Sequence, residues 1–133
     1  MGNRWILQAS DVVTADATEA DYHRMRFAVG VPDEARDLTP EKSFPLHFGL
    51  EDLHGVDFRK GCYVGQEVTA RTKHLGVIRK FIYQVRSAGD SPLPASGAPI
   101  YAGDVAAGEM LSGDGSVGLA LLQVAHAKAD LRY

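Results

Sequence analysis

Apolar and polar positions along the second half of the chain follow a strand rhythm. Residues 77–86 are rich in branched and aromatic side chains (Val77, Ile78, Phe81, Ile82, Tyr83, Val85), which predicts a strand. Residues 100–111 and 117–124 predict two more, with Ser112, Gly113, Asp114 and Gly115 as the hairpin turn between them. Residues 87–99 hold Pro92, Pro94, Pro99, Gly89 and Gly97 and predict a loop. The tail, residues 125–133, follows neither period. Together these segments predict a small antiparallel sheet or barrel.

The first half reads differently. Residues 18–29 predict a helix, with Thr18 as its cap, Asp21 as the capping-box partner and Tyr22, Met25 and Val29 on one face. Gly30 and Pro32 end it. Residues 31–59 are irregular, although Phe44, Leu46 and Phe48 alternate like a short buried strand and residues 50–53 suggest one helical turn. Residues 66–74 predict a second helix that stops at Gly76. Glu67 lies in its first turn and Arg71, Lys73 and His74 near its end, which complements the helix dipole. Glu67 and Arg71 also form an i,i+4 pair. Residues 4–8 read as a short strand with no neighbour to pair with. The fold class is α+β: an α+β segment over residues 1–76, then a small antiparallel β-barrel over residues 77–133.

Composition narrows the function. Hydrophobic residues make up 45% of the 133, enough for a packed core. The net charge of -3 argues against a general nucleic-acid binder. Arg71, Lys73, His74, Arg79 and Lys80 form a local basic cluster, ordinarily a solvated face and alternatively a phosphate or polyglutamate contact. No apolar run reaches the roughly 20 residues of a membrane helix, and the start shows no secretory leader pattern. The single cysteine, Cys62, allows no internal disulfide, which fits a reducing compartment. The five histidines show no ligand spacing, so no metal site is expected. A cysteine protease and a phosphate-cradling loop are equally unsupported.

The candidate chemistry sits in residues 60–67, Lys-Gly-Cys-Tyr-Val-Gly-Gln-Glu. Gly61 and Gly65 permit close approach to the backbone. The helix that follows points free N–H groups back at the loop. Its dipole and the Lys60 ammonium both favour a thiolate at Cys62, which is expected to be at least partly solvent-accessible between the two glycines. Gln66 and Glu67 bring an amide and a carboxylate to the same place. Taken singly, Cys62 reads as a small buried hydrophobe, Tyr63 as a core aromatic and Glu67 as a first-turn helix acid.

Residues 60–67 resemble the K-G-C-Y-x-G-Q-E block of the YgfZ-type folate-binding proteins. The flanks are similar too: the helix and Gly30-Val31-Pro32 turn upstream, Phe44-Pro45-Leu46 and Val56-Asp57-Phe58 on the approach, and Val68-Thr69-Ala70-Arg71 downstream. The resemblance implies the C-terminal part of a glycine-cleavage T-protein-like fold, in which three domains surround a folate site and the last is a small β-barrel. It implies an accessory factor for iron–sulfur cluster assembly or repair that supports enzymes such as the radical enzymes that modify tRNA. Its partners would be folate and iron–sulfur enzymes or assembly proteins, with no direct nucleic acid and no membrane. Cys62 would be the functional thiol, with Lys60 beside it. Gly61, Tyr63, Gly65, Gln66, Glu67 and Arg71 would face tetrahydrofolate. The setting would be the bacterial cytoplasm or the mitochondrial matrix.

Members of that family are at least twice this length, so a first domain and part of a second are expected to precede Met1. The chain alone should then bind folate weakly and self-associate through the edge at residues 4–8. Two alternatives stand beside this reading. One is an aminomethyltransferase, against which the cysteine-containing block argues. The other is a non-catalytic interaction domain.

Overall fold

The computed structural model describes residues 7–11, 14–89 and 91–133. Residues 4–6 of the strand expected at 4–8, and with them most of the edge from which self-association is argued, lie outside the described residues, while residues 7 and 8 are in no strand. The elements in order are helices α1 (Glu19–Ala28) and α2 (Glu34–Asp37), a 3-10 turn (Pro45–Phe48), helix α3 (Gln66–Leu75), strands β1 (Lys80–Arg86), β2 (Pro99–Ala102), β3 (Val105–Asp114) and β4 (Val117–Gln123), a second 3-10 turn (Val124–His126) and strand β5 (Leu131–Arg132). The architecture is α+β: a small antiparallel sheet with a few helices against it.

The five strands form one sheet in the order β1-β4-β3-β2-β5. β4 is buried on both faces, which explains its unbroken run Val-Gly-Leu-Ala-Leu-Leu. Period-2 alternation divides that run between two cores. Leu119 and Leu121 face Phe27, Phe48, Ile82 and Leu111 on the helical side. Ala120 and Leu122 face Ile100 and Met110 on the other.

Residues 100–111 are not one strand. Ala102 and Val105 pair directly across a turn at Gly103, whose φ of 62° suits glycine. The next hairpin turn is tighter than expected, because Ser112, Gly113 and Asp114 stay in β3 and only Gly115 and Ser116 turn. β1 begins at Lys80 rather than Val77. The tail pairs through β5 with β2.

Two expectations in the helical half are corrected. Phe44, Leu46 and Phe48 are not a strand, because Pro45 opens a 3-10 turn that buries Leu46 and Phe48 and leaves Phe44 exposed. Tyr22, Met25 and Val29 are the exposed face of α1, while His23, Arg26 and Phe27 are the buried one. Arg26 turns inward because it has a buried partner. Its Nη1 donates to Asp37 Oδ2 at 2.7 Å and its Nη2 to Ser112 Oγ at 2.6 Å. Asp37 Oδ1 accepts from the Ser112 amide at 2.9 Å and its hydroxyl at 2.5 Å. The β3–β4 register shifts between Met110 and Gly113, and that irregularity frees the Ser112 amide for Asp37. Arg26 Nε donates to His23 Nδ1 at 2.8 Å, so the neutral ring carries its proton on Nε2, which faces Glu19 Oε1 at 3.1 Å. Among the described residues no buried side-chain polar atom lacks a partner.

The cap of α1 forms as the sequence suggests. Asp21 N–H donates to Thr18 Oγ1 at 3.2 Å, and Thr18 N–H donates to Asp21 Oδ2 at 2.9 Å. The Thr18 hydroxyl, then its amide, then the Arg24 charge hold the Asp21 carboxyl below the ordinary carboxylate range. A carboxyl lowered in the folded state adds stability at neutral pH that is lost as pH falls through that range. Thr18→Ala is therefore expected to lower stability by about 1 kcal/mol at pH 7. The gap from the wild type should narrow in acid, as read by urea unfolding at several pH values.

Candidate functional site

Residues 60–65 run as an exposed loop into α3. Gly65 caps the helix in the left-handed region, with φ 84°, where a side chain would be strained. No side chain caps α3 from that position. Gln66 closes the turn instead: its Oε1 accepts from the Tyr63 amide at 3.1 Å, and its own amide donates to the Tyr63 carbonyl at 3.3 Å. Lys60 Nζ stands 4.8 Å from the centre of the Tyr63 ring, a cation–π contact.

Cys62 is a free, exposed thiol just before the helix N-terminus. It is not the buried hydrophobe that a lone cysteine more often is. A Cβ added at Gly61 or Gly65 would meet nothing within 4 Å. Packing within the described chain therefore does not demand glycine at 61, and its openness leaves room for another molecule beside Cys62.

α3 is held lightly. Thr69 is its buried residue. Lys73 Nζ pairs with Glu51 at 2.7 Å and lies 5.8 Å from the Phe58 ring, which meets His74 edge-on at 6.2 Å. Glu67 and Arg71 are both exposed, and the i,i+4 ion pair expected between them is absent among the described residues. Lys73 leaves the basic cluster by pairing with Glu51. Around the helix lies an apolar surface: Val64 is 102% exposed, Val68 55%, Leu75 81% and Val77 82%.

Lys60, Gly61, Cys62, Tyr63, Gly65, Gln66 and Glu67 thus form one continuous patch, with Arg71 a turn further along α3. The patch is a wall and not an enclosure. Concave spaces of about 710, 550 and 410 Å³ are lined by other parts of the chain. The patch offers an exposed nucleophilic sulfur, a flanking cation and a mixed set of hydrogen-bonding groups. Among the described residues no group of three histidine, cysteine or acidic side chains could hold a metal ion. Sequence reasoning missed Arg26, Asp37 and Ser112, which link the helical half to the sheet. A signal was present in His23, Arg26 and Phe27, which share an i, i+3, i+4 face.

Comparison with known proteins places this geometry in context. Residues 79–133 match the family model described as the CAF17 C-terminal beta-barrel domain. The chain is 48% identical over 109 residues to the mitochondrial iron–sulfur cluster assembly factor IBA57 of Mus musculus, a match covering 77% of this chain and 30% of the relative. It is 48% identical over 107 residues to that of Homo sapiens, with the same shares. It is 34% identical over 135 residues to the homolog of Neosartorya fischeri, covering 86% of this chain and 30% of the relative. The chain therefore spans 30% of the length of these curated relatives. A match over 77% of the chain leaves too few residues at either end for positions 60–67 to fall outside it. The relatives' name is related to, but different from, the YgfZ-type label that those positions suggest. This chain is similar to the IBA57 iron–sulfur cluster assembly factors over 77% of its length, and its residues 79–133 match the CAF17 C-terminal beta-barrel domain.

Proposed function

We propose that this chain is the part of an iron–sulfur cluster assembly or repair factor that presents its working thiol, Cys62. The exposure of that thiol in a glycine-flanked loop at a helix start carries the reading. The printed names of the relatives support the assembly role and a mitochondrial setting. Lys60 would hold the thiol's surroundings positive. Clients would be iron–sulfur enzymes or assembly proteins, tRNA-modifying radical enzymes among them. The open apolar surface of Val64, Val68 and Leu75 is suited to contact with other protein.

Tetrahydrofolate belongs to the same proposal. Tyr63 offers an exposed ring, Gln66 and Glu67 offer an amide and a carboxylate, and Arg71 offers a guanidinium for an acidic tail. Gly61 and Gly65 leave the approach open. These groups suit one wall of a pterin site, and the remaining walls would come from other protein. When bound, tetrahydrofolate supplies a reduced pterin able to accept a one-carbon unit.

The test is Cys62→Ser, introduced in the gene in cells. Serine is close in size and the site is exposed, so the protein level and unfolding midpoint should not change. The activity of iron–sulfur enzymes is expected to fall severalfold. In vitro, iodoacetamide should label Cys62 in the native protein as fast as in the denatured one. Normal enzyme activity in the Cys62→Ser strain would remove the claim.

A further inference from the structure

We infer that the inner face of the sheet holds a binding site for a small organic acid with an apolar body, entered between β1 and the C-terminal tail. β1 and β5 stand at opposite ends of the strand order, yet residues of both line one cavity of about 410 Å³. The sheet therefore curls until its two edges face each other across a gap. The Tyr133 hydroxyl donates to the Pro92 carbonyl at 3.1 Å and ties the tail to the loop after β1 on one side of the space.

The floor is Ile100, Met110 and Leu122, which are 5%, 1% and 1% exposed, with Tyr83, Val85 and Leu131 packed around them. The volume lies within the roughly 300–1,000 Å³ of small-molecule sites, which are mostly apolar with a few polar groups at chosen points. Here the polar groups are at the mouth. Arg86 and Arg132 line it, together with the carboxylate of Asp130 and the hydroxyls of Ser87 and Ser91. Among the described residues neither arginine is in an ion pair, and both are exposed. An apolar space thus has at its mouth two guanidiniums that, among the described residues, stand outside any ion pair. A molecule with an apolar body and one carboxylate satisfies both at once: the body replaces poorly solvated volume, and the carboxylate takes a forked guanidinium contact. A cationic head would forgo that forked contact. None of the residues of the 60–67 patch lines this cavity, so the site is independent of the thiol.

The experiment titrates the whole chain with octanoate, with octylamine as its opposite-charge counterpart, by calorimetry and by methyl NMR. Octanoate is expected to bind with a Kd below about 1 mM, shifting the Met110 and Leu122 methyl signals and leaving those of Val68 and Leu75 in place. Octylamine should bind at least tenfold more weakly. The double variant Arg86→Gln/Arg132→Gln should lose at least tenfold in octanoate affinity with an unchanged unfolding midpoint. Leu131→Trp, which fills the space, should abolish the methyl shifts. No octanoate binding, equal binding of the two ligands, or shifts confined to Val68 and Leu75 would each overturn the assignment.

Discussion

Asp37→Ala is expected to lower the free energy of unfolding by about 3–5 kcal/mol, the usual effect of removing one partner of a buried ion pair. The side chains of Arg26 and Asp37 are 2% and 0% exposed. Without Asp37 the guanidinium keeps its hydrogen bonds to Ser112, His23 and the Val31 carbonyl, but none of these carries a compensating charge. The Ser112 amide and hydroxyl and the Asp33 amide lose their acceptor at the same time. A small protein is stable by only about 5–15 kcal/mol in all, so the variant should approach the limit of folding. Urea unfolding of the purified protein checks it. The double variant Arg26→Met/Asp37→Leu should recover much of the loss, since an apolar pair of similar volume can replace a buried ion pair. Arg36→Ala, which breaks the Arg36–Glu19 pair whose side chains are 50% and 73% exposed, should leave the urea midpoint close to that of the wild type.

The second large effect is expected at Gly108. It sits opposite Leu122 in the β3–β4 ladder, and a Cβ there would lie 2.1 Å from the Leu121 carbonyl oxygen and 2.8 Å from the Leu122 Cα. Both obstacles are backbone of the neighbouring strand β4, so no rotamer change relieves the clash. Gly108→Ala should cost about 3 kcal/mol, the upper part of the range for over-packing. Gly97→Ala is the comparison, because Gly97 has φ +81° with nothing within 4 Å. Its effect should be limited to the left-handed backbone penalty of about 1–2 kcal/mol. Thermal unfolding of the two variants separates crowding from backbone strain.

Local chemistry was legible in the sequence wherever a short segment decides its own shape. Thr18 and Asp21 cap α1 because both partners lie within four residues. The apolar runs of β1 and β4 announce strands, and Gly76 ends α3 where expected. Longer-range effects were not legible. Arg26 and Asp37 are eleven positions apart across a proline turn, and nothing in their neighbourhood says that the arginine points inward. That pair reverses the face of α1 that Tyr22, Met25 and Val29 suggest. Gly103 was hidden inside an apolar run, and Pro45 turned an alternating triplet into a 3-10 turn. At the candidate site the position of Cys62 before a helix could be read from the sequence. Its exposure agrees with the expectation drawn from the two flanking glycines, Lys60 and the helix start. The role of Lys60 as a neighbour of Tyr63 required coordinates.

The light hold on α3 bears on how a partner would be recognised. A ten-residue helix is marginal by itself in water, and α3 buries little beyond Thr69. Its opening free energy therefore lies near the low end for this protein, while that of β4, buried on both faces, lies near the global value. The loop bearing Cys62 is attached to a segment with little buried surface to hold it closed. A protein seated on Val64, Val68 and Leu75 would convert that reversible fraying into order and fix the thiol's position in the same step. Part of the contact energy would go into ordering, so affinity would be modest for the area covered. Release would be correspondingly quick.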